Sequence, residues 1–390
     1  MKPAAWARRL PWSIVLLATA LVALGWLAIA RYDELAGHSS RWLRQQVLWS
    51  ALALPAMLAI SAANYRVLCR YSFAVYAAAL GLLVAVYFFP AVNAAHRWIR
   101  LGPVGIQPSE FAKVAFVLVL AKYLMYRDNY RRLPGLMGPL GLALLPVVLI
   151  LREPDLGTAA VFLPVLFAML FVAGARRRDL VAVLLAGLAV CPLLWNQMSR
   201  EQKSRVTALL DQPAAGEEPG DDAYHLYRAK QMRALGGIWG SALGGTADGD
   251  PPSLRLPYAR NDFIACVVGE RFGLVGLAVL LGAFGLLVHR AAGIAAATRE
   301  PFGRLVAAGV AALLAVEFVV NVGMTVGLLP VTGLSLPLVS YGGSGLLAHA
   351  IALGLLLSVG ARPGYEVTAE PFRYAAGKRL SDCATHPSGR

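Results

Sequence analysis

Charged residues are scarce in this chain of 390 residues. Only 15% of the residues are charged, whereas 58% are hydrophobic, and the mean hydropathy is +0.60. Soluble domains carry about 25% charged residues and a near-even share of apolar ones. The composition therefore excludes a soluble protein and favours one embedded in a membrane.

Cysteine is also scarce, and its four residues are scattered over the sequence at Cys69, Cys191, Cys266 and Cys383. They form no CxxC pair of the kind that binds zinc, and no two of them fall in loops predicted to face an oxidising compartment. We therefore expect neither a disulfide nor a zinc site.

Apolar runs with few or no charges account for most of the chain. Each is long enough to cross about 30 Å of hydrocarbon as a helix. The first lacks a clear small-residue cleavage site, so we expect it to be retained as a span and not removed as a signal peptide. Because lipid tolerates only helices or closed barrels, the sequence predicts an all-α integral membrane protein with about ten transmembrane helices. The ten runs are Trp12 to Ala30, Val47 to Ala63, Ser72 to Val92, Pro108 to Tyr126, Leu133 to Leu151, Thr158 to Ala175, Leu180 to Met198, Phe263 to Val288, Leu305 to Leu329 and Leu338 to Val359.

Acidic residues number only 22 against 36 Lys and Arg, a net charge of +14. Such a balance is compatible with nucleic acid, with anionic lipid, or with a bias of cytoplasmic loops. The Lys and Arg residues are concentrated in the N-terminal tail, the even-numbered loops and the C-terminal tail, and they are few in the short odd-numbered loops. By the positive-inside rule both termini face the cytoplasm. This explains the net charge, and we expect no nucleic-acid partner.

One loop is long. Residues 198–261, between the seventh and eighth predicted spans, form an outer loop with an acidic segment at 211–222, a basic stretch from Tyr224 to Arg233 and a Gly-rich stretch at 236–249. Its middle could form a short interfacial helix. We assign residues 1–361, this loop included, to a single polytopic membrane domain, and residues 362–390 to a polar cytoplasmic tail that we expect to be disordered.

Residues of special chemistry cluster on the side predicted to face outward. His96 to Glu110 ends the second outer loop, and Arg152 to Thr158 forms the third. Leu256 to Asp262 closes the fourth, and Leu329 to Gly345 forms the fifth. This clustering predicts a functional site on the outer face.

Two of these segments have both a structural and a functional interpretation. Lys113 lies within a predicted span, three residues after Glu110, so it forms either an internal ion pair or part of a functional site. Arg97 and Arg100 flank Trp98 as snorkelling interfacial residues or as a clamp for phosphate oxygens.

The acidic residues are equally ambiguous. Asp155 and Asp262 each precede an apolar run, so each is either a helix N-cap or a catalytic group. Glu153 beside Asp155 makes a carboxylate pair that a divalent cation could use. The segment Gly342 to Gly345 is either a tight turn or a phosphate cradle. Glu270, Arg271 and Glu317 are expected to pair inside the bundle.

Taken in order, these motifs resemble the SEDS family (shape, elongation, division and sporulation), represented by RodA and FtsW. The resemblance runs from about Trp12 to Val359. It rests on Arg97-Trp98-Ile99, on Gln107-Pro108-Ser109-Glu110 with Lys113, on Pro154 to Thr158, on Asp262-Phe263-Ile264 and on Asn321 to Ser344.

The resemblance implies a peptidoglycan glycosyltransferase that polymerises lipid II into glycan strands at the outer face of the bacterial cytoplasmic membrane, in cell division or cell-shape growth. It implies an inverting transfer from an undecaprenyl-pyrophosphate-linked donor, with Asp262 as the catalytic base. Its expected partners are lipid II, the nascent strand, membrane lipid and a class B penicillin-binding protein that cross-links strands. The residues assigned to substrate binding are Arg97, Trp98, Arg100, Gln107, Ser109, Glu110, Lys113, Asp155, Thr158, Ser340, Tyr341, Gly342, Gly343 and Ser344.

Charge stabilisation at the leaving group is expected from Arg97, Arg100 and Lys113. A Mg²⁺ or Mn²⁺ ion held by outer carboxylates such as Asp155 and Asp262 would act in the same way, although the residues alone do not define a metal site. No organic cofactor is expected.

The chain departs from the family pattern near Asp262. The family commonly has an acid, a His and a Thr near Tyr258, Arg260 and Asn261, and Gly345 replaces a common serine. The stretch from Tyr224 to Arg233 is unusually basic. Glu153, Gly269 and the segment 334–337 favour the FtsW division branch over the RodA elongation branch.

Two other functions remain open. A flippase or transporter of the same lipid would need a hydrophilic path across the bilayer and charges on both sides, whereas here the motifs favour one face. A non-catalytic scaffold for division proteins is the other alternative, against which the retained Asp262 and Lys113 argue.

Overall fold

The computed structural model describes residues 3–37, 40–91, 96–102, 104–127, 130, 132–198, 200–210, 221–245, 256 and 259–362. These residues form fourteen α-helices and one short β-hairpin. The helices are α1 (Pro3–Arg9), α2 (Trp12–Leu35), α3 (Arg41–Ala62), α4 (Tyr65–Ala85), α5 (Pro108–Met125), α6 (Met137–Arg152), α7 (Leu156–Ala173), α8 (Arg177–Gln197), α9 (Arg200–Leu210), α10 (Asp221–Gly236), α11 (Ser241–Gly244), α12 (Ile264–Ala297), α13 (Pro301–Val326) and α14 (Gly343–Gly360).

The all-α membrane class is confirmed. Each of the ten apolar runs falls on a helix, and among the described residues eight helices are long and apolar enough to cross a membrane. The two other predicted spans are α5, which contains Glu110, Lys113 and Lys122, and α8, which begins with three charged residues. The number of ten spans and the cytoplasmic position of both termini stay predictions.

The most buried helices are α5, α13 and α14, which form the centre of the bundle. α13 packs against α5, α7, α12 and α14, while α14 packs along α3. The α14–α3 contact needs a small residue, because a Cβ atom on Gly354 would lie 2.7 Å from the Met57 carbonyl oxygen. Polar side chains from the central helices are therefore brought together inside the bundle.

Local sequence sets where the central helices begin and end. α5 has Pro108 at its first position and Glu110 in its first turn, which suits the unpaired N–H groups there. α13 begins after Glu300, whose carboxylate accepts hydrogen bonds from the Phe302 and Gly303 amides at 3.2 and 2.6 Å. It ends at Gly327, which has a φ of 80°.

Several apolar runs differ in their bounds from the helices on which they fall, and two of these differences bear on the site. The eighth was expected to end at Val288, but α12 continues to Ala297 and is broken at Gly273, where φ is 64°. The segment that follows α10 packs against this break, since the Leu274 amide donates to the Gly237 carbonyl at 3.0 Å. The tenth was expected to begin at Leu338, but that residue has a φ of 67° and the helix starts at Gly343.

The middle of the long loop 198–261 is helical, which agrees with the short helix that the sequence allowed there. It contains α9, α10 and α11, and α10 packs against α12 and α13 through Leu226, Ala229 and Met232, which are buried. The basic stretch thus forms a helix docked on the bundle. Residues 211–220 of the acidic segment, residues 246–249 of the Gly-rich stretch and all of the tail beyond Arg362 lie outside the described residues.

A β-hairpin lies between α4 and α5, where the sequence predicted no regular structure. β1 (Ile99–Leu101) and β2 (Val104–Ile106) are antiparallel, with Arg100 opposite Gly105. The hairpin leads directly into α5 and so places the Arg97 segment at the same end of the bundle as the start of α5.

Candidate active site

Asp262 lies in the turn that precedes α12, and its position is set by a buried amide. Asn321 on α13 donates from Nδ2 to the Asp262 carbonyl oxygen at 2.9 Å and to the Leu334 carbonyl oxygen at 2.7 Å. The α13–α14 loop passes beside the carboxylate, because a Cβ atom on Gly333 would lie 3.6 Å from Asp262 Oδ2. The turn that carries this half-buried carboxyl group is therefore held against α13 and the α13–α14 loop.

The two chain segments at this site, residues 260–262 and 340–342, are joined by hydrogen bonds, and we call them the strap. The Tyr341 amide donates to the Arg260 carbonyl at 2.9 Å, and Asn261 Nδ2 donates to the Tyr341 carbonyl at 3.0 Å. Ser340 Oγ donates to the Asn261 carbonyl at 2.5 Å. Ser340 and Tyr341, assigned to substrate binding from the sequence, thus hold the segment that carries Asp262.

α3 supports the strap from outside. Gln46 donates from Nε2 to the Ser340 carbonyl at 3.2 Å and accepts from the Gly342 amide at 3.2 Å. Gly343 packs so tightly on the Trp49 ring that a Cβ atom there would overlap it. These contacts favour the interpretation of residues 342–345 as a tight turn between packed helices. A phosphate cradle is less favoured, since the Gly342 amide already donates to Gln46.

The environment of Asp262 raises its pKa from 3.8 to about 6, first because of burial and second because of the negative charge of Asp155. Three cations, Arg205, Arg97 and Arg260, act in the opposite direction. The carboxyl group is consequently ionised in most molecules at neutral pH and close to its titration midpoint. These are the properties of a general base.

Asp155 is the N-cap of α7, as the structural interpretation predicted. Its Oδ1 accepts from the Thr158 amide at 3.2 Å, and its Oδ2 accepts from Thr158 Oγ1 at 2.9 Å and from Gln107 Nε2 at 3.4 Å. The cap also acts on Asp262, whose pKa it raises. Gln107, Asp155 and Thr158 are therefore one hydrogen-bonded unit beside the base.

Glu153 is completely buried, and neither of its carboxyl oxygens has a hydrogen-bond partner within the described residues. Burial, followed by the charge of Asp155, raises its pKa from 4.5 to about 8, against an opposing effect of Arg97. Glu153 is thus a neutral carboxylic acid at pH 7.

Arg97 holds the backbone of the Glu153 segment. Its Nε donates to the Glu153 carbonyl at 2.8 Å, and its Nη2 donates to the Pro154 carbonyl. Trp98 packs on the hairpin at Gly105, and Arg100 is exposed on β1. The guanidinium of Arg97 is partly engaged by protein carbonyls, whereas Arg100 faces outward from the hairpin.

The Glu110–Lys113 ion pair exists and belongs to a larger buried network. Lys113 Nζ lies 2.9 Å from Glu110 Oε1 and also contacts Glu317 on α13. Glu317 Oε2 in turn lies 2.5 Å from His349 Nε2 on α14, whose Nδ1 contacts the Gly345 carbonyl at 2.6 Å. We call Glu110, Lys113, Glu317 and His349 the buried quartet. Glu317 pairs within the bundle as expected, and Glu270 does so with Arg31 at 2.7 Å.

Several residues assigned to substrate binding lie below the surface. Ser109, Lys113, Thr158 and Ser344 are buried. Ser109 Oγ, Ser344 Oγ and Glu110 Oε2 have no hydrogen-bond partner within the described part of the chain. Their role in substrate binding stays a prediction.

Comparison with known proteins agrees with this arrangement. The model of the FtsW/RodA/SpoVE family, described as cell cycle proteins, matches residues 8–363. The chain belongs to this family. The SEDS resemblance noted in the sequence is thereby confirmed.

Relatives from both branches of the family are similar to the chain. The probable peptidoglycan glycosyltransferase FtsW of Trichlorobacter lovleyi is 34% identical over 82% of this chain and 84% of its own length. The peptidoglycan glycosyltransferase MrdB of Escherichia coli K12 is 35% identical over 85% of this chain and 90% of its own length. Because the two identities are nearly equal, the preference for the FtsW branch stays a prediction.

Solved structures of family members have the same fold. A chain from a peptidoglycan synthase complex that coordinates polymerization and crosslinking matches with a TM-score of 0.77 and 32% identity, over 92% of this chain and 99% of its own. The crystal structure of the rod shape determining protein RodA of Thermus thermophilus matches with a TM-score of 0.67 and 30% identity, over 92% and 98%.

Within the described residues, the carboxylates near Asp262 form no group of three metal ligands, and a Mg²⁺ or Mn²⁺ ion held by Asp155 and Asp262 stays a prediction. Among the described residues, Glu153, Asp155 and Asp262 do not bring three ligand atoms within reach of one ion. The one such group is Glu110, Glu317 and His349, and there the Lys113 ammonium already contacts both carboxylates. No step of the chemistry is therefore assigned to a metal.

Sequence reasoning missed the residues that support the site from a distance. Four such residues lie in an apolar run or an ordinary loop of the sequence. Gln46 bonds the Ser340 carbonyl, Tyr32 and Trp42 contact the Arg260 side chain, and His349 contacts Glu317. The single signal was a histidine inside an apolar span, which is uncommon.

Proposed function

We propose that the chain is a peptidoglycan glycosyltransferase that polymerises lipid II into glycan strands, with Asp262 as general base. The observation that carries the proposal is the half-buried Asp262 carboxyl group, which has a pKa of about 6. It lies on a turn whose backbone is held by Asn321, and three arginines act on it electrostatically. The names of the FtsW and MrdB relatives support the reaction class.

In the proposed reaction the Asp262 carboxylate accepts the proton of the acceptor sugar hydroxyl as that oxygen attacks the anomeric carbon of the donor. The bond from the anomeric carbon to the undecaprenyl pyrophosphate breaks on the opposite side, so the configuration inverts. A base with a pKa near 6 is ionised at neutral pH and can still hold the proton briefly. The strap keeps the carboxylate at one position during the transfer.

The leaving diphosphate gathers negative charge, which nearby cations stabilise. Arg97, Arg205 and Arg260 all act electrostatically on Asp262, and we propose that their positive charge also stabilises the leaving diphosphate. Arg100 on the exposed edge of β1 adds a donor that faces away from the bundle. Lys113 contributes less directly, because Glu110 and Glu317 neutralise its charge. Mg²⁺ or Mn²⁺ dependence stays a prediction, and an assay with a chelator tests it.

The proposed setting is the bacterial cytoplasmic membrane, with the strap on its outer face. The related synthase complex coordinates polymerization with crosslinking, which supports a class B penicillin-binding protein as the partner of this chain. Lipid II, the growing strand and membrane lipid are the other proposed partners.

A gel assay of glycan strands tests the proposal. Purified protein is given lipid II, with and without Mg²⁺ or Mn²⁺ and with a cognate class B penicillin-binding protein. We expect strands from the wild type, none from Asp262→Asn, and normal strands from Asp179→Asn. Asp179 is a suitable control because it is also a half-buried aspartate but lies at the start of α8. Equal strand synthesis by Asp262→Asn and wild type would refute the role of Asp262.

The alternatives give different results in the same system. A flippase would move fluorescent lipid II between the leaflets of liposomes, with or without Asp262, and would form no strands. A scaffold would do neither and would still bind its partner. The buried quartet is charged but lies within the packed centre, so it offers no open hydrophilic path.

A further inference from the structure

The segment at the end of α10 presents large apolar side chains at the surface of the protein. From Ala234 to Gly245 the sequence contains no charged residue, although this stretch belongs to the long loop between α8 and α12. Ile238 is 59% exposed, Trp239 63% and Leu243 79%. Proteins rarely leave such a cluster in water, so these residues mark a contact with an apolar partner.

Glycines fasten this segment to the break in α12. A Cβ atom on Gly240 would overlap the Arg271 carbonyl oxygen, and a Cβ atom on Gly273 would overlap the Ile238 carbonyl oxygen. The same carbonyl of Ile238 accepts a hydrogen bond from the Val275 amide at 3.3 Å. Because the two backbones touch, the exposed side chains of the segment are held level with Val275.

The exposed surface continues along α12. Leu274 is 61% exposed, and beyond it Val275, Val279 and Leu286 are also exposed, at a spacing that places these three on one face of the helix. α12 is among the helices long and apolar enough to cross a membrane, so this face is turned to lipid. Five exposed residues form one surface at its upper end, and we call them the apolar patch: Ile238, Trp239, Leu243, Leu274 and Val275.

Both chains change from charged to apolar at the same level. Arg233 is the last charged residue of α10, and Arg271 is the last charged residue of α12 before the break. The two helices meet there, because a Cβ atom on Gly269 would lie 3.0 Å from Arg233 Cγ. Arginines that border an apolar surface are typical of the edge of a bilayer, where their side chains reach the headgroups.

The length of α12 gives the depth of the patch. From Leu274 to Val288, before His289 and Arg290, the helix has fifteen uncharged residues, which rise about 22 Å. The hydrocarbon of a bilayer is about 30 Å thick. The level of Leu274 is therefore at or inside the edge of the hydrocarbon on the side of the strap.

The remainder of the loop is chemically unsuited to cover the patch. Residues 246–255, which lie outside the described residues, include Asp248, Asp250 and Arg255 and have Leu254 as their one large apolar residue. Acyl chains that already cover the exposed face of α12 can cover the patch as well, because the two surfaces are continuous.

We propose that the apolar patch is a lipid-binding surface, which dips into the acyl-chain region of the leaflet on the side of the strap and anchors the end of α10 there. Its occupant is the hydrocarbon of ordinary phospholipid. The anchor is separate from the chemistry at Asp262, and it can be tested without any turnover.

The first test measures which medium surrounds the patch. Nitroxide spin labels are attached to the full-length protein at Ile238→Cys or Leu243→Cys, in a background in which the four native cysteines are replaced by alanine. The protein is reconstituted into liposomes of phosphatidylethanolamine and phosphatidylglycerol. Collisions of the label with oxygen, which concentrates in hydrocarbon, are compared with collisions with a water-soluble nickel chelate.

Two further positions give the references. Val279→Cys, on the exposed face of α12, reports hydrocarbon, and Arg178→Cys, exposed at the start of α8, reports water. At both patch positions the ratio of oxygen to nickel collisions should exceed that at position 178 by about threefold or more and approach that at position 279.

The second test leaves the native cysteines in place. The protein is reconstituted in phospholipid with brominated acyl chains, which quench tryptophan fluorescence on contact, or in the same lipid without bromine. The emission that is lost in Trp239→Phe belongs to Trp239. We expect bromine to quench more than half of this emission, and Trp239→Phe to show a smaller quenched fraction than wild type.

Every outcome bears on the proposal. Nickel collisions at positions 238 and 243 equal to those at position 178 would place the patch in water and overturn it. Labels that neither reagent reaches would show that protein, such as a second copy of the chain, covers the patch, and this also overturns it. Equal quenching of wild type and Trp239→Phe would do the same. Labels in hydrocarbon on a protein that forms no strands would uphold the anchor while the proposed function fails.

Discussion

Replacing Glu153 with glutamine should make the protein more stable, and the gain should depend on pH. The carboxyl group is completely buried, its oxygens have no partner within the described residues, and its pKa is raised from 4.5 to about 8. The folded state therefore binds this proton more tightly than the unfolded state does. The stabilisation of the folded state that comes from this bound proton is fully present below about pH 4.5 and is lost as the pH rises towards 8.

The size of the effect follows from the same values. Each unit of difference between the pKa of Glu153 in the folded state and in the unfolded state corresponds to about 1.4 kcal/mol. At pH 7 the unfolded state has released the proton, whereas the folded state retains it. After allowance for partial hydration of the site, we expect wild type to lose about 2 kcal/mol between pH 5 and pH 8 through Glu153. A glutamine of the same shape releases no proton, so Glu153→Gln escapes this loss.

Thermal unfolding in detergent, followed by tryptophan fluorescence at pH 5, 6.5 and 8, measures the effect. The Tm of Glu153→Gln should exceed that of wild type by a few degrees at pH 8 and match it at pH 5. Glu34→Gln is the control, since Glu34 is exposed and its pair with Arg31 is partly hydrated. A difference between Glu153→Gln and wild type that is the same at all three pH values would refute the reasoning.

Three further predictions concern the interior. Gly345→Ser should raise the Tm by a degree or more, which corresponds to about 1 kcal/mol in the free energy of unfolding. A Cβ atom there would lie 3.5 Å from Glu110 Oε2, which has no partner within the described residues, and the new hydroxyl can donate to it. Gly345→Ala, which adds no donor, should give no gain. Asn321→Leu should reduce strand synthesis about tenfold or more, since it removes the hydrogen bonds that hold the Asp262 and Leu334 carbonyls together. A rate within twofold of wild type would contradict this. Lys113→Met should lower the yield of monodisperse protein on size-exclusion chromatography, because two buried carboxylates lose the cation that pairs with them. Breaking such a buried pair typically lowers the free energy of unfolding by about 3 to 5 kcal/mol. An unchanged yield and Tm would contradict this prediction.

The sequence was sufficient for the helices and for two local contacts. Long apolar runs predict spans directly, since lipid requires helical hydrogen bonding, and all ten runs fall on helices. The prediction of a Glu110–Lys113 pair succeeded because residues three apart share a helix face. The Asp155 cap succeeded for the same kind of local reason.

Contacts between distant segments could not be predicted in this way. Nothing in the pattern of α13 indicates that Glu317 meets both Lys113 and His349, which lie on two other helices. Likewise, Tyr32 is 228 residues from Arg260, so their hydrogen bond depends on how α2 packs on α12. The packing of α10 on α12 and α13 was also not predicted, because only a few apolar residues amid many charges are buried there.

The most direct test of the central claim is to separate binding from turnover in Asp262→Asn. Lipid II affinity is measured on the purified variant, and the rate of bond formation is measured in a single turnover at saturating lipid II. Loss of a general base should lower that rate by about 10² to 10⁴ with little change in affinity. A single-turnover rate close to that of wild type, with weakened binding alone, would contradict the assignment of Asp262 as the base.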